Sequence, residues 1–344
     1  MPEPVVHDTL RVIDFGVTTP LRSQTLWHAV TEGVDAGCPP TLSFVRTAAP
    51  YVSIGFHRST DELDVERCKA NGWAVLRRKV GGGPVFMDRD QLCFQITVPA
   101  SLLPASRTKA TRWLLEPALA AFRAAGLDAR LDAAPEVVVR DRKVCGHAAA
   151  QIGSAVVLVG NLIERFDHRR AVSVLRTPDR TEEEETLRLM RRYVAFDRDA
   201  PTVDSDRFVA AAKSAYASVL GLRPAQGGLC RLEEEALSTL DRQFEDPAWV
   251  SGAAKRNSRV WRAKIRSRVW RGFVAFGTGR LGLSMVEGRV TAARVEGFGS
   301  DDDLAARLEG LALGELAEWA TRALPGAEEA AGALLELCSA GVVE

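Results

Sequence analysis

Three cationic residues followed by three glycines form the part of this sequence best suited to chemistry. The stretch from Ala74 to Val98 contains, in order, an apolar run, Arg77-Arg78-Lys79, Val80, Gly81-Gly82-Gly83 and a second apolar run beginning near Val85. Glycine has no Cβ and tolerates positive φ, so successive glycines let backbone N–H groups approach a ligand or turn sharply. Neighbouring guanidinium groups suit an anion. The pattern therefore indicates either an anion site or a tight turn with solvated arginines.

A second segment, from Glu136 to Phe166, places one lysine among small residues. Lys143 follows a turn at residues 140–142 and precedes Gly146 and Ala148. Runs of β-branched residues on both sides predict adjacent strands with a close-packed connection. The small residues leave room for a ligand or for a packed helix. Lys143 is either the reacting cation of a site or a surface lysine beside a turn.

Several other site classes are poorly supported by the spacing of residues. The glycines follow neither the G-x-x-x-x-G-K-[ST] nor the G-x-G-x-x-G order, which argues against a P-loop and a Rossmann site. Five histidines without an H-x-x-x-H pair disfavour a metal hydrolase. The six cysteines form no C-x-x-C pair and are interpreted as reduced, mostly buried thiols: Cys38, Cys68, Cys93, Cys145, Cys230 and Cys338.

Composition predicts a globular protein of about two domains. The chain has 344 residues, 46% of them apolar and 26% charged, and its formal net charge is zero. No global field attracts nucleic acid or an anionic membrane, so neither is an expected partner. The N-terminus lacks a basic and apolar leader pattern, and no apolar run reaches about 18 residues, so a cytoplasmic location is expected.

Periodicity predicts the elements that would position these residues. Strands are expected at Leu42–Arg46 and Tyr51–Ile54, and helices at Asp61–Asn71, Arg107–Ala125 (with Pro117 kinking or dividing it) and Asp204–Leu220. A break near Asp246-Pro247 predicts a first domain at 1–245 and a smaller α+β domain at 246–344, with a strand meander and closing helices.

Two charge-rich segments allow two interpretations each. Residues 182–185 are four glutamates, which indicate a solvated helix face or, alternatively, a mobile loop over a site. Residues 255–271 carry eight basic residues and no acid, in an imperfect strand alternation. That segment is either a solvated strand face or a surface that docks an acidic carrier domain or closes over the active site.

The motifs together resemble the lipoate-protein ligase A family. The resemblance rests on four runs in order: Leu42-Ser43-Phe44-Val45-Arg46, Val52-Ser53-Ile54-Gly55, Arg77-Arg78-Lys79-Val80-Gly81-Gly82-Gly83-Pro84-Val85-Phe86 and Arg142-Lys143-Val144-Cys145-Gly146-His147-Ala148. The segment after Trp249 is similar to the accessory domain of that family. The resemblance implies an α+β fold with a class II synthetase-like mixed sheet flanked by helices, plus a small C-terminal α+β domain.

The resemblance also implies a reaction. Lipoate or octanoate would react with Mg-ATP to give an acyl-adenylate, which a carrier lysine would then attack. Lys143 matches the catalytic lysine of the family by its place in the motif, and it would stabilise the developing charge. The implied carriers are lipoyl domains of 2-oxoacid dehydrogenase E2, glycine cleavage H protein or a related protein. Substrate binding is assigned to Arg77, Arg78, Gly81, Gly82, Gly83, Val85, Gly146, Ala148 and Gly160; metal ligands are not assigned.

The sequence departs from the family at three places and leaves other mechanisms open. Met87 and Val159 stand where the family usually has histidines, and Ala134-Pro135-Glu136 replaces an asparagine-aspartate pair, read here as a loss of polar groups. A transferase that needs no ATP would use a thiolate, for which Cys145 beside Lys143 is the candidate. A weakened protein that only binds the carrier or the acyl-adenylate is the other alternative.

Overall fold

The computed structural model describes residues 7–197, 199–252, 260–277, 279–298, 300–323 and 332–337. The predictions for Cys338 and for residues 255–259 of the basic segment lie outside these residues. The strands are β1 Thr9–Thr18, β2 Thr41–Thr47, β3 Tyr51–Ile54, β4 Ala74–Arg77, β5 Val85–Met87, β6 Gln91–Pro99, β7 Arg130–Leu131, β8 Val137–Val139, β9 Arg142–Lys143, β10 His147–Ile152, β11 Ala155–Ile163, β12 Arg223–Gln226, β13 Val260–Arg266, β14 Val269–Phe276, β15 Gly279–Val286 and β16 Arg289–Glu296.

Ten helices lie between and after these strands in the described part of the chain. They are α1 Pro20–Asp35, α2 Val65–Ala70, α3 Arg107–Ala124, α4 His168–Ser173, α5 Arg180–Tyr193, α6 Ser205–Leu220, α7 Arg231–Glu245, α8 Pro247–Ser251, α9 Asp301–Leu308 and α10 Leu316–Ala323. Among the described residues, no helix is long and apolar enough to cross a bilayer.

The described residues form two compact units. The first contains residues 7–174 and 195–252, and the second contains residues 175–194 and 260–337, within the described ranges. Helix α5 therefore belongs to the second unit, although it lies well before residue 245 in the sequence. Its contacts with β13 and β14 decide this assignment.

The first unit is built on a mixed six-stranded sheet in the order β10-β11-β6-β2-β1-β12. The pairs β2–β1 and β1–β12 are parallel, whereas the other three pairs are antiparallel. Because successive side chains point to opposite faces, Leu42 and Phe44 enter the core beneath α3 and α6, whereas Ser43 donates to Gln95 at 2.8 Å on the other face. This confirms the predicted α+β class with a mixed sheet flanked by helices.

The predicted helix Arg107–Ala125 is confirmed as α3, Arg107–Ala124, which Pro117 does not divide. The predicted helix Asp61–Asn71 is instead a short 3₁₀ turn at Thr60–Glu62 followed by α2, because Ser59 caps the turn and Asp64 caps the helix.

Two smaller sheets complete the first unit and carry the motif residues. β4-β3-β5 brackets the glycine-rich loop, and the three antiparallel strands β7-β8-β9 end at Lys143. The candidate residues Arg77 and Lys143 are the last residues of β4 and β9, so the sheets fix the backbone that leads to them.

The second unit is an antiparallel meander in the order β13-β14-β15-β16. The turn between β15 and β16 places Glu287 and Gly288 at φ of 50° and 78°, as a two-residue hairpin requires. The hydrophobic core joins β14, β15 and β16 to α9 and α10 through residues such as Leu283, Leu304 and Leu316.

The acidic segment of α5 is not simply a solvated face. Glu182 is fully buried and accepts two hydrogen bonds of 2.6 Å from Arg271, which is itself 1% exposed. Arg271 also donates to Ser284 at 3.1 Å. A buried ion pair needs this degree of hydrogen bonding to offset the loss of hydration. One residue of the acidic run and one of the basic run are thus internal partners, while Glu184 remains exposed.

Candidate active site

The glycine-rich loop is held from within by Arg78. Its guanidinium is almost completely buried and donates to the carbonyl oxygens of Gly81, Gly83 and Ser53 at 2.7–3.1 Å. Burial lowers the pKa of Arg78 to about 10, so it remains a cation at neutral pH. The loop carbonyls thus point toward Arg78, and this fixes the path of the three glycines.

Arg77 connects the loop region to the end of the first unit. Its N–H groups donate to the carbonyls of two backbone segments at 2.7–3.1 Å: Gly55, Phe56 and Arg58, and Trp249, Val250 and Ser251. Both arginines are therefore engaged with backbone oxygens. The two guanidinium groups that were predicted to bind substrate thus hold the backbone around the glycine-rich loop.

The glycines of the loop meet different surroundings. Gly82 has φ of +94°, which a residue with a Cβ rarely adopts, and a Cβ there would also approach Arg78. A Cβ added at Gly81 or Gly83 would meet nothing within 4 Å. Gly55 supports the loop from behind, since a Cβ there would lie 1.9 Å from the carbonyl oxygen of Gly82. One side of the loop is thus closely packed and the other is open.

Lys143 is presented by a tight hairpin. The turn residues Arg140 and Asp141 both have positive φ, 48° and 64°, and Val138 pairs with Lys143 in the β8–β9 ladder. The ammonium group lies 2.8 Å from a carboxylate oxygen of Glu136, whose side chain is 4% exposed. The backbone of Glu136 is held by Asp132, which accepts from its N–H at 3.0 Å. Lys143 is therefore a fixed cation rather than a loose surface lysine.

Glu136 corrects the sequence interpretation of this segment. Replacement of the family's asparagine-aspartate pair predicts a loss of polar groups, but the structure has a carboxylate at position 136 in contact with Lys143. The signal was present in the sequence as a single acid directly before a run of three valines. An acid in that place is buried with β8, where it needs a cationic partner.

A chain of buried amides links the lysine motif to the glycine-rich loop. Asn161 of β11 accepts from the N–H of Gly146 at 2.6 Å and donates to Gln91 at 2.7 Å. Gln91 in turn donates to the carbonyl of Phe86, in the strand that leaves the loop, at 3.1 Å. Asn161 and Gln91 are not among the residues predicted from the sequence, although a polar amide inside an apolar strand is the signal that identifies them.

The candidate thiol nucleophile is buried. Cys145 is 0% exposed, and burial raises the pKa of its thiol to about 12 despite the nearby charge of Lys143. Burial likewise raises the pKa of Cys93 to about 12. Since the thiolate is the reactive form and the side chain must be reached by the substrate, the burial and raised pKa of Cys145 disfavour it as a nucleophile.

A partly open apolar surface lies beside the lysine motif. Ala148 and Val159 are cross-strand partners in β10 and β11, and both pack, half-buried, against the buried side chains of Trp27, Val80 and Val157. Val80 immediately precedes the glycines, so this surface adjoins the loop. Small alanines on one strand leave room for a narrow apolar group.

Gly160, which is predicted to bind substrate, and Met87, which departs from the family, both pack internally. A Cβ at Gly160 would lie 2.5 Å from the ring of Phe94, so this glycine lets a core aromatic pack against β11. Met87, in the place of a family histidine, is 7% exposed and packs with Tyr51 and Leu76. Val85, by contrast, is 38% exposed at the loop exit.

His28 contacts the start of the glycine-rich loop. Its Nε2 accepts from the backbone N–H of Lys79 at 3.0 Å, and its Nδ1 donates to the carbonyl of Gln24 at 2.7 Å. The ring is fully buried and stacks on Trp27, and burial lowers the pKa of His28 to about 3. The histidine is thus neutral and joins α1 to the loop.

The sequence matches a family model over most of the first unit. The model describes the lipoyl protein ligase A/B catalytic domain, and it matches residues 20–216, which include both motifs. The chain belongs to this family. The family comprises enzymes that ligate or transfer lipoyl and octanoyl groups, so this chain is a member of a lipoate ligase and octanoyltransferase family.

The relatives of this chain include proteins named octanoyltransferase and proteins named lipoate-protein ligase. The octanoyltransferase LipM of Kyrpidia tusciae is 28% identical over 239 residues, which cover 61% of this chain and 86% of the relative. Subunit 1 of the lipoate-protein ligase A of Thermoplasma acidophilum is 23% identical over 240 residues, which cover 67% of this chain and 91% of that protein.

Solved structures share the fold. The bipartite lipoate-protein ligase of Thermoplasma acidophilum, described with its E2 lipoyl domain, superposes with a TM-score of 0.66 at 23% identity, covering 73% of this chain and all of that chain. A lipoate-protein ligase A bound with ATP gives a TM-score of 0.61 at 22% identity over 71% of this chain and 99% of the other. At these identities the likeness establishes the fold alone.

Proposed function

We propose that this protein attaches lipoate or octanoate to a lysine of a lipoyl carrier domain in an ATP-dependent reaction. In the first step, a carboxylate oxygen of the acid attacks the α-phosphorus of ATP, and pyrophosphate leaves. In the second step, the carrier amine attacks the acyl carbonyl carbon, the bond to AMP breaks, and the amine gives up a proton. The product is an amide.

The observation that carries this proposal is the fixed Lys143–Glu136 pair next to a buried thiol. A charged ammonium held at 2.8 Å from a buried carboxylate is poised to stabilise negative charge that builds on the carboxylate and α-phosphate oxygens. The thiol that a covalent mechanism would need lies two residues away and is 0% exposed. The arrangement therefore supports electrostatic over covalent catalysis.

The remaining residues take supporting roles in the proposal. The open sides of Gly81 and Gly83 offer backbone to the acyl-adenylate, and Arg78 and Arg77 hold that backbone in place. The apolar surface of Ala148 and Val159 accepts the acyl chain. Because position 159 is a valine, the acyl chain is recognised at this surface by apolar contact alone.

Mg²⁺ would accompany ATP in such a reaction. It is commonly held by phosphate oxygens and by one or two carboxylates. Glu136 is already paired with Lys143, so it does not present a preformed metal site. The steps above are therefore assigned to the residues of the chain without the metal.

A second candidate function is transfer of an octanoyl group from an acylated carrier without ATP. The names of the LipM relatives favour it. It requires a thiolate, and the sequence offers Cys145 for that role. The burial of the Cys145 thiol and its raised pKa disfavour this second function.

An intact-mass assay of a lipoyl carrier domain separates the candidates. The carrier gains the acyl mass with free octanoate or lipoate only when ATP is present, and pyrophosphate is released. Lys143→Ala lowers that rate at least about 100-fold, whereas the control Lys109→Ala, an exposed lysine on α3, retains it. Cys145→Ser remains active.

Other outcomes would overturn the proposal. Acylation from an octanoyl carrier without ATP, with a thioester on Cys145, identifies the transferase. Binding of carrier or acyl-adenylate without pyrophosphate release identifies a protein that only binds. Wild-type pyrophosphate release by Lys143→Ala removes the role given to that lysine.

A further inference from the structure

Two cysteines far apart in the sequence lie in contact outside the candidate active site. The sulfur atoms of Cys38 and Cys230 are 3.1 Å apart, although the residues are separated by 192 positions. Cys38 follows the end of α1, and Cys230 directly precedes α7. Both side chains are partly exposed, so a small reagent can reach them.

Both cysteine backbones are held in place. The N–H of Cys38 donates to the carbonyl of Gly33 at 2.9 Å in the C-terminal turn of α1. The N–H of Cys230 donates to Glu233 at 2.8 Å in the first turn of α7. The thiols therefore meet because two ordered helix ends meet, rather than because a loop happens to pass nearby.

The packing around the pair is equally tight. Glu233 is fully buried and forms a bidentate ion pair with Arg11, one bond of which is 2.8 Å. A Cβ on Gly33 would collide with Glu233, so α1 and α7 approach each other closely at this point. Closing the sulfur–sulfur distance to a covalent bond of about 2.05 Å requires a movement of only about 1 Å.

The same cluster is less suited to a metal ion. Cys38, Cys230 and Glu233 could provide three ligand atoms within 4.8 Å of one another. However, both oxygens of Glu233 are already bonded to Arg11, and a guanidinium in that position opposes a divalent cation. Two adjacent thiols without a free carboxylate favour a bond between the sulfurs.

We propose that Cys38 and Cys230 are a thiol-oxidation site that forms an intramolecular disulfide with a small-molecule disulfide as oxidant. One thiolate attacks the reagent and releases one small thiol, and the second thiolate attacks the mixed disulfide and releases the other. Two cysteine protons are lost, one sulfur–sulfur bond forms, and the reagent is reduced to two thiols. The bond ties the end of α1 to the start of α7.

The chemistry predicts slow, pH-dependent oxidation. Burial raises the pKa of Cys38 to about 12, the contact with Cys230 and the charge of Glu233 add to the rise, and Arg11 opposes it. Because exchange proceeds through the thiolate, the rate of bond formation increases as the pH rises. The disulfide closes a long loop of the unfolded chain, which stabilises the folded state relative to it.

Peptide mapping of the full chain tests the proposal. The protein is incubated with hydroxyethyl disulfide at mildly alkaline pH, alkylated and digested without reductant. We expect a cross-linked peptide pair containing Cys38 and Cys230, reversed by dithiothreitol, and a rise in melting temperature of at least about 5 °C. Cys38→Ser and Cys230→Ser each lose both effects, whereas Cys68→Ser, a buried thiol of α2, retains them.

Three results would overturn it. The first is that both thiols of the wild-type protein are still fully alkylated after incubation with the small-molecule disulfide. The second is a mixed disulfide that persists on one cysteine without closing the pair. The third is stoichiometric zinc that is lost in Cys38→Ser. Because none of these readouts depends on acyl transfer, the test is independent of the proposed function.

Discussion

Replacing Gly55 by alanine tests how the glycine-rich loop is supported. The new Cβ would lie 1.9 Å from the carbonyl oxygen of Gly82 and 3.0 Å from the carbonyl carbons of Gly81 and Gly82. An ordinary carbon–oxygen contact is about 3.3 Å. The loop must therefore move by more than about 1 Å, because the obstruction is backbone and has no rotamer to change.

We expect this shift to affect both stability and activity. Forcing a methyl group into a packed site costs about 1–3 kcal/mol, and the displacement also disturbs the bonds from Arg78 to Gly81 and Gly83. A misplacement of about 1 Å in a catalytic site can cost about 100-fold in rate. Gly55→Ala should therefore lose about 100-fold in kcat/KM for carrier acylation, with a lower free energy of unfolding in urea.

Gly83→Ala is the matched comparison. Its Cβ would meet nothing within 4 Å, so the free energy of unfolding should change by less than about 0.5 kcal/mol. Any loss of activity in this variant then reports on the ligand, as a raised KM. The reasoning is refuted if Gly55→Ala has wild-type stability and activity, or if Gly83→Ala is the less stable of the two.

Three further variants test individual contacts. Glu136→Gln leaves the ammonium of Lys143 with a neutral partner, so kcat/KM should fall at least about 10-fold and the free energy of unfolding by about 1–3 kcal/mol. Unchanged kinetics would exclude the pair from catalysis. Burial lowers the pKa of His28 from about 6.5 to about 3, so at pH 5 the unfolded chain binds a proton that the folded chain does not. The free energy of unfolding in urea should therefore fall by about 2 kcal/mol when the pH is lowered from 7 to 5. His28→Leu should lose that part of the pH dependence, and a slope identical to wild type would contradict the assignment. Arg271→Met should destabilise the second unit by about 3–5 kcal/mol, and adding Glu182→Leu should recover much of the loss; additive losses would show that the pair is not coupled.

Local patterns were enough to locate the motifs. The apolar runs on both sides of Gly81–Gly83 predicted strands, and the structure has β4 and β5 there. The run around Lys143 predicted adjacent strands with a tight connection, which the β8–β9 hairpin and β10–β11 pair provide. Such features depend on a few neighbouring residues, so they can be read directly from the sequence.

The roles of the arginines could not be read in the same way. In sequence, Arg77 and Arg78 beside glycines resemble a phosphate site. In the structure, both are buried and donate to backbone carbonyls, which belong to strand β3, to the segment that follows it and to helix α8. A buried polar group must be satisfied, and which residue satisfies it depends on the packing of distant segments.

The sequence by itself determined the family, the mixed α+β class, the glycine-rich loop and the lysine motif, since each is encoded in short runs of residues with strong local preferences. Only the tertiary structure decided that Lys143 pairs with Glu136, that α5 belongs with the second unit through Glu182, and that Cys38 meets Cys230. These contacts join residues from different elements. They are selected by the burial and hydrogen bonding of the whole unit, which no local pattern specifies.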